Sequence, residues 1–450
     1  MMDSAFNRTG FEIETTAHAD TIQARILLGR DRDEKTNALG FGARLESNEA
    51  SKAGAILGDE GEGHFLAIAP TGAGKGRNVI IPNLLTYRGP VVIIDPKGEA
   101  AMVTARRRRE MGQRVVIVDP FGVCGEPTDG INPFDLLDPQ AAGFESDCLM
   151  LAKLLTGGQL SQVDRFWDQN AEALLAGCIA DRAANAPQRE RNLCALRSFL
   201  CDPDLPYKIA CRLDTELKDK TGLAVDEYKN FLGHEGEKVR TSVRSTAMQH
   251  MTIFAGRQVS DAVTRSTFCL NHVTTGASLT IYLVIPPHKL EAYGALLRLW
   301  VATLLTLITR REVSPPLPTL LVLDELAQLG AFPQLRPAVT LLRGYGVRCM
   351  LFLQDVAQLR MLFPADYGTI INNCASVLSF GHTSFAMSRE MAEIFGDAHP
   401  EQLFDMGRDA LAVRQTGRKT RIVERFDYLH DPLFSGMFDA NRMAKRSGGR

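Results

Sequence analysis

Short, unbroken apolar runs punctuate the chain, separated by longer stretches with helical spacing. "HFLAIA" reads as a buried strand over Phe65–Ala69, followed by a glycine-rich loop at 70–76 and a helical pattern from near Lys75. "GPVVIIDPKGE" predicts a second strand ending at Asp95. "RRRREMGQRVVIVDPFG" predicts the end of a helix and a third strand, Arg114 to Asp119. After about Pro133 the pattern turns helical: "ESDCLMLAKLLTGG", "FWDQNAEALLAGCIADRAAN" and "LCALRSFLCD" predict a mostly helical insert over 135–265. Strand signals resume at "ASLTIYLVIP" (277–286), "TLLVLDE" (319–325), "VRCMLFLQD" (347–355) and "CASVLSFG" (374–381). The expected fold is α/β, a mostly parallel sheet with crossover helices, interrupted by an all-α domain. The expected division is an N-terminal extension over 1–60 with a turn at Gly58–Gly63, core halves at 61–134 and 266–430, and a flexible tail at 431–450.

Composition narrows this picture modestly. A chain of 450 residues, 45% hydrophobic, has material for two or three domains. With 51 basic and 53 acidic residues it lacks a general basic coat. Local basic clusters remain: Arg106 to Arg109; Lys238, Arg240 and Arg244; Arg418, Lys419, Arg421 and Arg425. Each is either a sequence-independent contact to nucleic-acid phosphates or an ordinary set of solvated ion pairs. No zinc-finger, helix-turn-helix or aromatic stacking pattern points to sequence-specific recognition. Nine scattered cysteines without a CxxC pair fit a reduced intracellular protein. The best apolar run, Leu299 to Ile308, reads as a buried helix segment rather than a bilayer span, and no signal-peptide pattern opens the chain. A cytoplasmic protein is expected, with any membrane role supplied through a partner.

The candidate chemistry begins in "AIAPTGAGKGRNVIIPN". A phosphate-binding loop needs converging backbone N–H groups, a helix N-terminus and a lysine. Thr71, Gly72, Ala73, Gly74, Lys75, Gly76 and Arg77 are the candidate nucleotide-binding residues, with Lys75 reaching the β and γ phosphates. Two positions depart from the usual pattern: Ala69 replaces its first glycine, and Gly76 replaces a hydroxyl that ordinarily ligates Mg²⁺. Downstream, "TLLVLDELAQLG" sets Asp324 and Glu325 just after an apolar strand. Asp324 is the candidate Mg²⁺ group, and Glu325 the general base that polarises the attacking water. Gln354, ending "VRCMLFLQD", is a candidate link between water and γ phosphate, or alternatively a structural cap. Arg343 and Arg348 are candidates to reach a neighbouring subunit's nucleotide, or ordinary ion pairs. Asp95 either helps position magnesium or closes its turn.

These stretches, together with "VVIIDPKGE", "NPFDLL", "RFWDQNAEALL" and "LLRGYGVRCMLFLQD", resemble the type IV secretion coupling proteins of the VirD4/TraG group over roughly residues 37 to 430. The resemblance implies a RecA-like P-loop nucleotide-binding domain interrupted by an all-α domain. It also implies hexameric or ring-like assembly, ATP and Mg²⁺ as ligands, and delivery of DNA–protein or protein substrates to a secretion channel. It tolerates glycine after the phosphate-loop lysine. It assigns Lys75 to phosphate, Asp324 and Glu325 to magnesium and water, Gln354 to a sensor role, and Arg343 to a trans-acting arginine. The family usually begins with transmembrane helices, which the residues before 37 do not resemble. The expectations are a naturally soluble relative, a processed or engineered soluble form, or a motor recruited by a separate membrane-anchor subunit to the inner face of the bacterial inner membrane. Two functions are compatible with the sequence: an ATP-hydrolysing motor, and a nucleotide-gated platform that recruits cargo without turnover.

Overall fold

The computed structural model describes residues 25–31, 54–157, 165–326 and 335–441. Most of residues 1–60, the "AQLG" stretch after Leu326 and the last nine residues of the expected tail lie outside the described residues.

One sheet organises the chain. Its strands are β1 (Ile26–Arg30), β2 (Ile56–Asp59), β3 (His64–Ile68), β4 (Val91–Ile94), β5 (Arg114–Val118), β6 (Leu279–Leu283), β7 (Thr319–Leu323), β8 (Val347–Leu353), β9 (Cys374–Ser379), β10 (Ala410–Gln415) and β11 (Arg421–Glu424). They lie in the order β2-β1-β11-β10-β9-β3-β8-β7-β4-β6-β5. From β9 to β5 every pairing is parallel. From β9 to β2 every pairing is antiparallel. The expected parallel core is thus present, and four antiparallel strands extend it beyond what the apolar runs signalled.

Side-chain alternation explains why the parallel strands read as unbroken apolar runs. In β3, Leu66 and Ile68 enter one core while Phe65 and Ala67 enter a second core on the opposite face. In β4, Val92 and Ile94 divide from Val91 and Ile93 in the same way. Both faces are covered, so these positions are apolar, and the polar residues that do enter the parallel strands, such as His64 and Arg348, are buried with partners of their own.

Between β5 and β6 the chain leaves the sheet for a mainly helical excursion. Its principal helices are Phe144–Leu155, Arg165–Asn185, Leu193–Cys201, Leu205–Asp214, Leu223–Gly233 and Glu237–His250. Arg165–Asn185 is central, packing on Phe144–Leu155, Leu223–Gly233 and Glu237–His250. Gly177 permits the close approach: a Cβ there would lie 2.7 Å from the Cβ of Glu227. Asp181, fully buried in the central helix, is held by Arg212 and by the Tyr228 hydroxyl at 3.0 Å.

The structure corrects several expectations. Ile26–Arg30 and Ile56–Asp59 belong to the sheet, so the 1–60 segment is not only an extension, and the turn begins after Asp59 rather than at Gly58. The tail is not flexible from 431. Phe434 is fully buried beside Leu27, Ile81, Leu85 and Val103, and the Asp439 N–H bonds Val103 O at 3.0 Å. The Leu299–Ile308 run belongs to a longer helix, Pro287–Thr309, whose 23 residues are long and apolar enough to cross a membrane by length and composition. Two-thirds of its apolar window (67%) is buried inside the protein, including Trp300, as in a core helix.

Candidate functional site

The carboxyl ends of β3, β8, β7 and β4 sit side by side, and each delivers a candidate residue to one edge of the sheet. Open parallel sheets place ligands at this edge. The loop after β3 runs from Ala69 into a π-helical turn, Gly76–Ile80, and a short helix, α1 (Ile81–Thr86). Gly72 (φ 80°) and Gly74 (φ 98°) adopt left-handed backbone that other residues rarely tolerate. At Gly74 a Cβ would also come 2.3 Å from Asn78 Oδ1. Lys75 is buried, and its Nζ donates to Ala69 O at 2.9 Å, within the loop. Burial lowers the Lys75 pKa from its ordinary value, while Glu325 and Asp324 nearby oppose that shift. Gly76 has no left-handed backbone requirement.

Asp324 and Glu325 follow β7 directly and line the same cleft as Lys75, of about 230 Å³. Burial, reinforced by repulsion from Glu325, raises the Asp324 carboxyl to about 6. Glu325 has φ 55°, a left-handed conformation that is uncommon for a side chain of this size. Gln354, at the end of β8, donates from Nε2 to Glu325 Oε2 at 2.9 Å. Its backbone N–H is held by Gln358 Oε1 at 2.8 Å. Asp95 follows β4 and accepts from the Ala101 N–H at 2.8 Å, at the start of α2 (Glu99–Glu110). Burial raises the Asp95 carboxyl to about 7, with Asp324 and Glu99 adding repulsion. Asp95 therefore anchors the α2 N-terminus as well as facing the cleft.

Arg77 lines the same cleft but turns its guanidinium onto Asp427, with His430 beside the pair. Two other candidates separate from this group. Arg343 precedes β8 and sits at the opposite edge of the sheet, paired with exposed Glu62 at 3.2 Å. The seven residues of β8 separate that edge from Gln354, a span of roughly 23 Å. Arg348 takes the ion-pair alternative, but in the interior: it is buried, ion-paired to buried Asp59 at 2.9 Å and bonded to Gly63 O at 2.9 Å. No neighbour's nucleotide can be reached from there.

The basic clusters are largely absorbed by the fold. Arg108 is fully buried, with its donors on the carbonyls of Leu84 and Gly89 and the side chains of Thr280 and Gln113. Its neighbours Arg106, Arg107 and Arg109 pair with acidic side chains. Arg244 donates to the carbonyls of Leu200 and Cys201 at a helix end. Arg425 donates to Ala73 O at 2.8 Å and stacks over Phe380, so it braces the phosphate loop. Sequence reasoning assigned Arg425 to a basic cluster, and the only signal of its role was its place just after the strand pattern "TRIVE".

Among the described residues, no three His, Cys, Asp or Glu side chains converge as a ready-made metal cage. Magnesium at a nucleotide site takes few protein ligands and completes its shell with phosphate and water. Asp324, with the open space at Gly76 beside it in the cleft, fits that requirement.

A family model described as type IV secretory system conjugative DNA transfer matches residues 14–397. A VirD4 protein from Rhizobium radiobacter is 28% identical over 318 residues, covering 68% of this chain and 44% of its own length. A conjugal transfer protein TraG from Escherichia coli is 26% identical over 395 residues, covering 82% of this chain and 61% of its own. The chain thus spans less than two-thirds of either relative. Among solved structures, the plasmid coupling protein TrwB with a non-hydrolysable ATP analogue superimposes with a TM-score of 0.59 at 17% identity, covering 81% of this chain and 85% of that one. At that identity the likeness speaks to fold: an α/β, RecA-like P-loop core with added helical regions.

Proposed function

The chain belongs to the type IV secretory system conjugative DNA transfer family, and from that premise we propose that it is an ATP-hydrolysing coupling protein that drives DNA–protein or protein substrates toward a secretion channel. The observation that carries the hydrolytic part is the Gln354–Glu325 hydrogen bond, which holds a carboxylate of the cleft that Lys75 and Asp324 also line. A carboxylate held by an amide beside a phosphate-loop lysine is poised to orient water.

In this reading Thr71 to Arg77 wrap the phosphates, with backbone N–H groups and Lys75 carrying the attraction. Lys75 moves from Ala69 O to phosphate oxygen when nucleotide enters. Glu325 takes a proton from water as its oxygen attacks the γ phosphorus. The bond from that phosphorus to the β–γ bridging oxygen breaks, releasing ADP and phosphate. Magnesium, when bound, supplies positive charge at the phosphate oxygens, and Asp324 is the residue that would hold it. Gln354 reports occupancy through Glu325 and β8 to the rest of the sheet. Arg343 lies at the far strand ends from its own nucleotide site, so any nucleotide it meets belongs to a neighbouring subunit, as in a ring such as a hexamer, and it otherwise remains the surface ion pair with Glu62. Cargo, channel components and a membrane-anchoring partner at the cytoplasmic face complete the proposed setting.

ATP turnover by the purified chain, with and without single- and double-stranded DNA and with oligomer size recorded, tests the reading. Turnover that rises with assembly supports it. Tight ATP binding without turnover under every condition replaces it with the recruitment platform.

A further inference from the structure

Gly76 stands where a phosphate loop ordinarily offers a hydroxyl to the metal. Nothing in its backbone demands glycine, and a Cβ built there meets no protein atom closer than Glu99 Oε2, at 3.9 Å. The space a serine side chain would fill therefore opens onto a carboxylate. Glu99 is held in place independently of any ligand. It is the first residue of α2, whose N-terminus is anchored by Asp95 through the Ala101 N–H. Asn441 Nδ2 donates to Glu99 Oε1 at 2.7 Å, so Oε2 is the oxygen presented to Gly76. Glu99 also lines the cleft with Lys75 and Asp324.

We propose that Glu99 takes over the role of the missing hydroxyl, ligating the nucleotide-associated Mg²⁺ directly or through one water. The inference rests on the nucleotide-site reading above and adds a ligand to it. The substitution is not neutral, because a carboxylate brings a full negative charge where serine brings none. With metal bound, that charge strengthens the site. Without metal, it repels nucleotide phosphate. Glu99 therefore makes nucleotide affinity steeply dependent on magnesium.

The test measures binding of a fluorescent ADP analogue in EDTA and across a Mg²⁺ series, with Mn²⁺ bound to the protein–ADP complex followed by electron paramagnetic resonance. Glu99→Gln is expected to weaken apparent Mg²⁺ affinity by about tenfold. In EDTA the same variant is expected to bind ADP as well as wild type or more tightly. Adding Gly76→Ser to Glu99→Gln restores the Mg²⁺ dependence, since the new hydroxyl has room. Asn441→Ala, which leaves Glu99 in place without its partner, moves Mg²⁺ affinity the same way by a smaller factor. Wild-type Mg²⁺ dependence in Glu99→Gln overturns the inference and leaves the nucleotide site standing. Equal weakening in EDTA and in Mg²⁺ also overturns it, by showing a structural role. Failure of the wild-type protein to bind ADP in either condition removes the nucleotide-site reading and this inference together.

Discussion

Gln354 Nε2 and Glu325 Oε2 lie 2.9 Å apart, joining the ends of two neighbouring parallel strands by a side-chain hydrogen bond. Sequence alone sets these residues 29 positions apart. The pairing of β7 with β8 is what makes them partners. In Gln354→Ala the carboxylate loses its fixed orientation. Turnover is expected to fall about 10- to 100-fold, with ATP affinity within about threefold of wild type. Steady-state kinetics and equilibrium binding on the same preparation check this.

Glu325 holds its position at a conformational penalty. At φ 55° a side chain crowds its own backbone, by about 1–2 kcal/mol relative to glycine. Glu325→Gly is therefore expected to be more stable than Glu325→Ala by about 1 kcal/mol, reversing the usual order. Urea unfolding of the two variants decides it. Both are expected to lack turnover.

Arg343 and Arg348 make opposite predictions despite their proximity in sequence. Arg348→Ala strands the buried Asp59 carboxylate and is expected to destabilise by about 3–5 kcal/mol. Arg343 pairs with Glu62 on the surface, so Arg343→Ala changes stability by no more than about 0.5 kcal/mol. If Arg343 acts between subunits, its loss lowers turnover only in assembled protein. Denaturation and concentration-dependent kinetics separate the two.

His64 ties the start of β3 to the segment before β8. Its Nε2 lies 2.6 Å from Val339 O, and its Nδ1 accepts from the Cys349 N–H at 3.1 Å, which fixes the neutral ring with the proton on Nε2. Burial lowers its pKa from 6.5 to about 4. Above 6.5 the ring is neutral in both folded and unfolded chains. Between 6.5 and 4 only the unfolded chain takes the proton, so stability falls as pH falls through that window. The loss approaches about 3 kcal/mol. His64→Gln is expected to show a shallower acid dependence in chemical denaturation, and an unchanged slope contradicts the assignment.

The parallel half of the fold was legible because strands buried on both faces leave runs such as "GPVVIID" and "TLLVLDE" with no polar interruption. The antiparallel half was not. β10 and β11 mix Arg414, Gln415, Arg421 and Glu424 into short strands, and β1 is five residues inside a polar region. Lys75, Asp324 and Glu325 were readable because each sits in a loop immediately after a strand, where chemistry and position coincide. Arg348 was left between a neighbour's nucleotide and an ion pair because its position after "LLRGYG" says nothing about burial, and burial decides its role. The contact of Arg425 with Ala73 and the approach of Glu99 to Gly76 were missed for a related reason, since each joins residues that are distant or unremarkable in sequence but adjacent in space. A signal for the place of Glu99 was nonetheless present: "DPKGE" follows a strand end and carries a carboxylate into the same cleft.

The most direct test of the central claim is ATP hydrolysis and ATP binding measured together in wild type, Lys75→Ala and Glu325→Gln. The account predicts turnover in wild type alone, with ATP binding retained in Glu325→Gln to within about threefold and strongly weakened in Lys75→Ala. Wild-type turnover in Glu325→Gln would contradict the role given to the carboxylate that Gln354 holds.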